Sequence, residues 1–186
     1  NLTIEGVKFI NNQDGILAAD NRKSTITIKG SEFLRNGGCE NACAHGIYVG
    51  HIALLHIERS VFAETKRAHH IKSRAARTEV IGCDIHDGKT GTASYLIEAP
   101  NGGALIVRDN KLEKGPMAEN HAAAIMIGSE GVDQPTPEIL VENNSFVNDG
   151  NYNTFLVVNR SATEATLKGN KITGPAKPLL GDGTVN

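Results

Sequence analysis

The stretch TIKGSEF, residues 27–33, decides how the chain is read, because its pattern returns along the whole sequence. TIEGVKF (3–9) precedes it, and HIERSVF (56–62), EVIGCDI (79–85), IVRDNKL (106–112), LVENNSF (140–146) and TLKGNKI (166–172) follow. The second place of each unit holds an apolar anchor: Ile4, Ile28, Ile57, Val80, Val107, Val141 and Leu167. Five residues after each anchor comes a second apolar residue: Phe9, Phe33, Phe62, Ile85, Leu112, Phe146 and Ile172. Successive anchors lie 24, 29, 23, 27, 34 and 26 residues apart, too irregular for a propeller blade or a helical-hairpin repeat. A constant unit at variable spacing means a fixed core with loops of unequal length.

Between the units a second strand-like run recurs, in DGILAAD (14–20), HGIYVGH (45–51), HHIKSRA (69–75), YLIEAP (95–100), AIMIGSE (124–130) and TFLVVNR (154–160). Each repeat therefore holds at least two short strands separated by turns rich in Gly, Asn and Asp. Strands of successive repeats stack in parallel at about 4.7–4.9 Å, with inward apolar residues forming ladders. The expected fold is all-β, a right-handed parallel β-helix solenoid of about seven coils spanning residues 1–186 as a single domain. Gly6, Gly30, Gly82, Asn143 and Gly169 recur at one place in the unit and suit a left-handed corner. Asn110, Asn144 and Asn170 are expected to stack as an amide ladder. All of these residues shape coils and are not read as catalysts.

Composition narrows the functions. The chain has 186 residues, 19 Lys and Arg against 21 Asp and Glu, and net charge −2, so no bulk field draws it to nucleic acid or anionic lipid. Recognition of an anion must be local. No apolar run approaches the about 18 residues needed for a membrane span. The sequence opens directly in the strand-like Leu2-Thr3-Ile4, and N-terminal coils or a leader are expected to precede it. Cys39, Cys43 and Cys83 allow one disulfide; a local staple of Cys39 to Cys43 is preferred, with free thiols or a metal site as alternatives. No repeated outward Thr-x-Thr row argues for ice binding.

The coils followed by HGIYVG-like strands resemble the right-handed β-helix repeats of the pectate-lyase-like superfamily, which includes polyuronate lyases, polygalacturonases and mannuronan epimerases. The likeness covers essentially the whole chain. HGIYVG, HHIKSRAA, GTASYLIEAPNGG and GSEG are more narrowly similar to bacterial β-helix repeat proteins of unassigned activity. The resemblance implies a carbohydrate-active protein acting on an acidic, uronate-containing polysaccharide by lyase or epimerase chemistry, in a secreted, periplasmic or cell-surface setting. The short Asp-Pro-His-Glu signature associated with mannuronan epimerases is absent, which weakens the epimerase option. The alternative is a noncatalytic solenoid that binds glycans or builds a surface assembly. Nothing in the sequence requires a cofactor, and calcium is an option.

Strand alternation locates a face for chemistry. Aligning Ile16, Ile47, Ile71, Ile97 and Ile125 as inward residues makes Leu17, Tyr48, Lys72, Glu98 and Met126 one outward column. Two positions on lie Gly50, Arg74 and Pro100, and His70, two before Lys72, is placed on the same face. Elimination from a uronate needs a cation for the carboxylate, a base for the ring proton and an acid for the leaving oxygen. Arg74 suits the first role and Lys72 the second, although Glu98 opposes it, with Tyr48 or a histidine as the acid. His45, His51, His70, Asn101 and Glu130 are the expected substrate-binding residues. The long intervals carrying GGCENACAHG, and GPMAENHAAA with SEGVDQPTP, are expected to wall one groove, bringing Glu119, Asn120 and His121 to it. Glu98 and Glu130 form the only candidate glycosidase pair. Against every catalytic role stands a plain one: Lys72 and Glu98 as a stabilising cross-coil ion pair, Arg74 as cover for apolar surface. His69 and His70 point to opposite faces of a strand and make no metal clamp.

Overall fold

The computed structural model describes residues 1–186 and contains strands and turns but no helix; none is therefore long and apolar enough to cross a membrane. Three parallel sheets share the chain, each coil giving one strand to each. The first sheet has eight strands, from Leu2–Glu5 to Gly183–Val185, and the second has seven, from Lys8–Ile10 to Lys171–Thr173. The third also has seven, from Ile16–Ala18 to Ala176–Leu180. The whole is a right-handed parallel β-helix.

The register follows the repeat. In the first sheet Ile4, Ile28, Ile57, Val80, Val107, Val141 and Leu167 are successive partners. In the second, Phe9, Phe33, Phe62, Ile85, Leu112, Phe146 and Ile172 do the same. Phe9 stacks on Phe33 at 4.7 Å, and Phe33 on Phe62 at 4.6 Å, so one ring in each of the first three coils fills the interior. Each fully buried side chain of this kind contributes roughly 1.5–3 kcal/mol of burial. Because the inward ladder repeats along the axis, one continuous core forms from Ile26 to Leu167.

The corner between the first and second sheets needs left-handed backbone once per coil. Gly6, Gly30, Gly82 and Gly169 supply it, and Arg59, Asp109 and Asn143 adopt it with φ of 48, 59 and 54°. The residue after this corner begins a polar ladder. Asn110 Nδ2 donates to Asn144 Oδ1 at 2.8 Å, and Asn144 Nδ2 donates to Asn170 Oδ1 at 2.9 Å. The same amides also donate to the carbonyls of Val80, Val107 and Val141. Backbone groups left over at the bend are thereby paired. Cys39 and Cys43 form a disulfide across a two-strand antiparallel hairpin, and Cys83 is a free, buried thiol that burial pushes up to about 11.

The third sheet has one irregularity that matters for the site. At the start of its strands two consecutive residues face inward: Leu96 with Ile97, Ala124 with Ile125, Leu156 with Val157. In the coil before His70 the first of the pair is Gly46, where any Cβ would run into the carbonyl of His70. Alternation is broken there, and the outward face resumes one residue earlier than simple counting gives.

Candidate functional site

The outward column of the third sheet forms as the alignment expected. Leu17, Tyr48, Lys72, Glu98 and Met126 are partners in successive strands. The strand bend puts a second column beside it, made of rings: His45 stacks on His69 with centroids 5.0 Å apart, and His69 on Tyr95 at 5.1 Å. The backbone N–H of His69 donates to His45 Nδ1 at 3.3 Å, and that of Tyr95 to His69 Nδ1 at 3.2 Å. With Nδ1 accepting, the proton of each imidazole sits on Nε2. Burial, with His69 and Lys72 close by, pushes His45 down to about 3, so its ring is neutral near pH 7.

Loops after the strands bring the remaining groups. Glu130 and Ser129 come from the turn that follows the strand Ala123–Ile127, and Asn101 from the turn after Tyr95–Ala99. Lys72 Nζ lies 3.1 Å from Glu98 Oε2 and 2.6 Å from Glu130 Oε1. Arg74 holds the other Glu130 oxygen at 2.6 Å, donates from Nε to Tyr48 Oη at 2.9 Å, and bonds Asn101 Oδ1. Both cations lie over the Tyr48 ring, 5.8 and 5.6 Å from its centroid. One carboxylate is thus gripped by two cations at the mouth of the cluster, and a second lies beneath it.

Glu98 is 3% exposed. Burial works against its ionisation, yet His69, the hydroxyl of Ser129 and the ammonium of Lys72 outweigh it and hold the carboxyl down to about 2. Oε1 accepts from Ser129 at 2.7 Å. Oε2 lies 3.0 Å from His69 Nε2, within ion-pair distance, but receives no well-directed hydrogen bond from it or from Lys72. Glu130 is also held below the ordinary carboxylate range: its partial burial is overcome by Lys72 and Arg74. A glycosidase pair needs one carboxyl kept protonated as the acid. Neither glutamate is in that condition. The carboxylates are committed to nitrogen cations, so this donor set is a poor fit for calcium, which takes clustered oxygens.

Of the residues singled out from sequence, Tyr48, Lys72, Arg74, Glu98, His45, Asn101 and Glu130 come together. His70 does not lie on this face. It is fully buried inside the solenoid, 2.8 Å from Thr65 Oγ1 through Nδ1 and 2.9 Å from Asp87 Oδ1 through Nε2, and His69 takes the outward place. Asp87 also accepts from Gly115 N, and the buried Lys114 beside it donates to Ser94 O at 2.7 Å. This interior network closes a coil corner. His51 sits at the sheet edge, its N–H and Nδ1 bound to Asp20. The two loops of the longer interval, GPMAENHAAA and SEGVDQPTP, flank the third sheet on opposite sides and do not wall one groove: Asn120 reaches Tyr95, whereas Gln134 donates to the carbonyl of Arg74. Glu119 pairs with Arg67, and His121 stacks on Tyr152 at 3.7 Å.

Residues 39–183 match the family model described as right handed beta helix region. The chain belongs to the right-handed β-helix family. It is a β-helix of the type on which carbohydrate-active sites are built. No curated protein and no solved structure matches it. For this right-handed β-helix, the chemistry has to be argued from the face itself.

Proposed function

We propose that the third sheet binds a uronate-containing polysaccharide and acts on it by lyase or epimerase chemistry. The observation that carries this reading is the Glu130 carboxylate gripped by Lys72 at 2.6 Å and Arg74 at 2.6 Å. A sugar carboxylate has the same shape and charge, so a uronate can take that place once the loop glutamate moves out. Arg74 and Lys72 then neutralise the sugar carboxylate and make the neighbouring ring C–H more acidic. Lys72 is less suited to removing that proton, because its nitrogen is engaged with two carboxylates.

Tyr48 is the better acid–base group. Its oxygen accepts from Arg74 Nε at 2.9 Å, and that donor stabilises the phenolate, the form that takes up a proton as a base. In a lyase, the C5–H proton moves to the Tyr48 phenolate, the C4–O4 bond breaks as the C4–C5 double bond forms, and the phenol so formed passes its proton to the leaving O4. In an epimerase, Tyr48 takes the C5–H proton from one face and a water on the other side of the ring delivers a proton to the opposite face of C5. Glu98 and His45 then act as fixed neighbours that orient Lys72 and His69. The Cys39–Cys43 disulfide is in keeping with a secreted, periplasmic or cell-surface protein.

Incubation with alginate, pectate and glucuronan, followed by absorbance of the unsaturated product and proton NMR for epimerisation, tests the reading. Wild-type turnover should fall at least 100-fold in Tyr48→Phe and in Arg74→Ala. Unchanged turnover in both variants contradicts the site. One observation favours the second reading, a noncatalytic glycan-binding solenoid: every charge of the cluster is paired at rest. That reading predicts uronate binding without product.

A further inference from the structure

The cluster is covered by its own loop, and the largest concavity of the molecule lies farther along the same face. It is an open groove of about 640 Å³, bordered by His121, Thr154, Phe155, Pro175 and Lys177. Its position is fixed by register. Phe155 is the partner of Ala123 on one side and of Lys177 on the other, so it continues the column of His69 and Tyr95. From the strand of Glu98 to that of Phe155 is two coils, about 10 Å at the usual strand spacing.

Two buried side-chain polar atoms in the chain lack a directed hydrogen bond: Glu98 Oε2 in the cluster and Thr154 Oγ1 in this groove. Thr154 is 2% exposed, and its partner strand offers Ala176 at the matching place, which has no group to pair with it. Phe155 is half-buried, so one ring surface packs on Ala123, Met126 and Val158 while part remains open. Lys177, one coil on, is exposed and forms no ion pair. His121 is held by stacking on Tyr152 and by Nε2–H donation to Ala118 O at 3.2 Å, which leaves Nδ1 as an acceptor.

We propose that this groove is a second subsite for one acidic sugar unit of the same polymer, with Phe155 as its platform and Lys177 as its polar contact. The C–H face of a pyranose lies on the aromatic ring and its carboxylate meets the ammonium. The subsite rests on the uronate reading of the cluster. A chain laid along the solenoid axis spans both places, one unit at the cluster and another two coils on.

Amide shift mapping by NMR, with tetra-uronates from alginate and from pectate and with a neutral glucan tetramer, tests it on wild type, Arg74→Ala, Phe155→Ala and Lys177→Ala. The proposal expects uronate-dependent shifts at Thr154, Phe155 and Lys177 in wild type, still present in Arg74→Ala. It expects about tenfold weaker binding in Phe155→Ala and in the exposed-site variant Lys177→Ala. Shifts confined to the strands of Tyr48, Lys72 and Glu98, or equal shifts with the neutral tetramer, overturn it. Shifts in the groove with none around Lys72 and Arg74 uphold this subsite and overturn the uronate reading of the cluster.

Discussion

Glu130 is 2.6 Å from each of two cations, yet it sits on a loop and its side chain is 41% exposed, so it is the most easily displaced member of the cluster. Glu130→Gln removes the charge that competes with a substrate carboxylate. Its affinity for a tetra-uronate should rise about tenfold, read by calorimetry, because neutralising a competitor for a paired cation is of the order of 1.4 kcal/mol. Acid sensitivity belongs to the same residues. Glu98, held down to about 2, contributes stability that is complete above its ordinary value of 4.5 and is lost as pH falls towards 2. His45, held down to about 3, remains neutral in the fold while the unfolded chain protonates below 6.5. Both signs agree: stability declines as pH drops from 6.5, and more steeply below 4.5. In urea melts, His45→Gln should flatten the limb between pH 6.5 and 4.5. Tyr48, Lys72 and Glu98 were legible in the sequence because their column depends only on alternation. His69 was missed because alternation fails at 70 and 71. The signal was present in Leu96-Ile97 and Leu156-Val157, adjacent apolar pairs at the same place in later coils.

At the level of the coil, the anchors and the second apolar residue five positions on were sufficient to give the register of two sheets. Such a register leaves every inward residue fixed, since a one-residue slip would turn the whole ladder outward. The third sheet was less legible, its loops before and after the strands being of unequal length. The amide ladder gives the sharpest prediction here. Asn144 accepts from Asn110 N and Nδ2 and donates to Val107 O and Asn170 Oδ1. Asn144→Ala should cost about 1–3 kcal/mol for each buried partner left unpaired, measured by chemical denaturation. A cost below about 0.5 kcal/mol would mean that water replaces the ladder.

Across the whole molecule, each coil contacts chiefly its neighbours, so stability is close to a sum of coil and interface contributions. The two end coils have the least cover, with Leu2 47%, Val7 41%, Leu180 52% and Val185 53% exposed, whereas Ile57, Val80 and Ile97 are fully buried. Hydrogen exchange should therefore be fastest in residues 1–18 and 174–186 and slowest in the strands around Val80 and Ile97. Uniform protection would contradict a neighbour-only solenoid. With net charge −2, the molecule as a whole gives a polyanion no attraction, and any affinity must arise on the third sheet. Calorimetric titration of a tetra-uronate and its neutral analogue onto wild type and Arg74→Ala tests this most directly. The account predicts binding of the uronate alone, weakened at least tenfold by Arg74→Ala; equal affinity in both proteins, or equal affinity for both ligands, contradicts it.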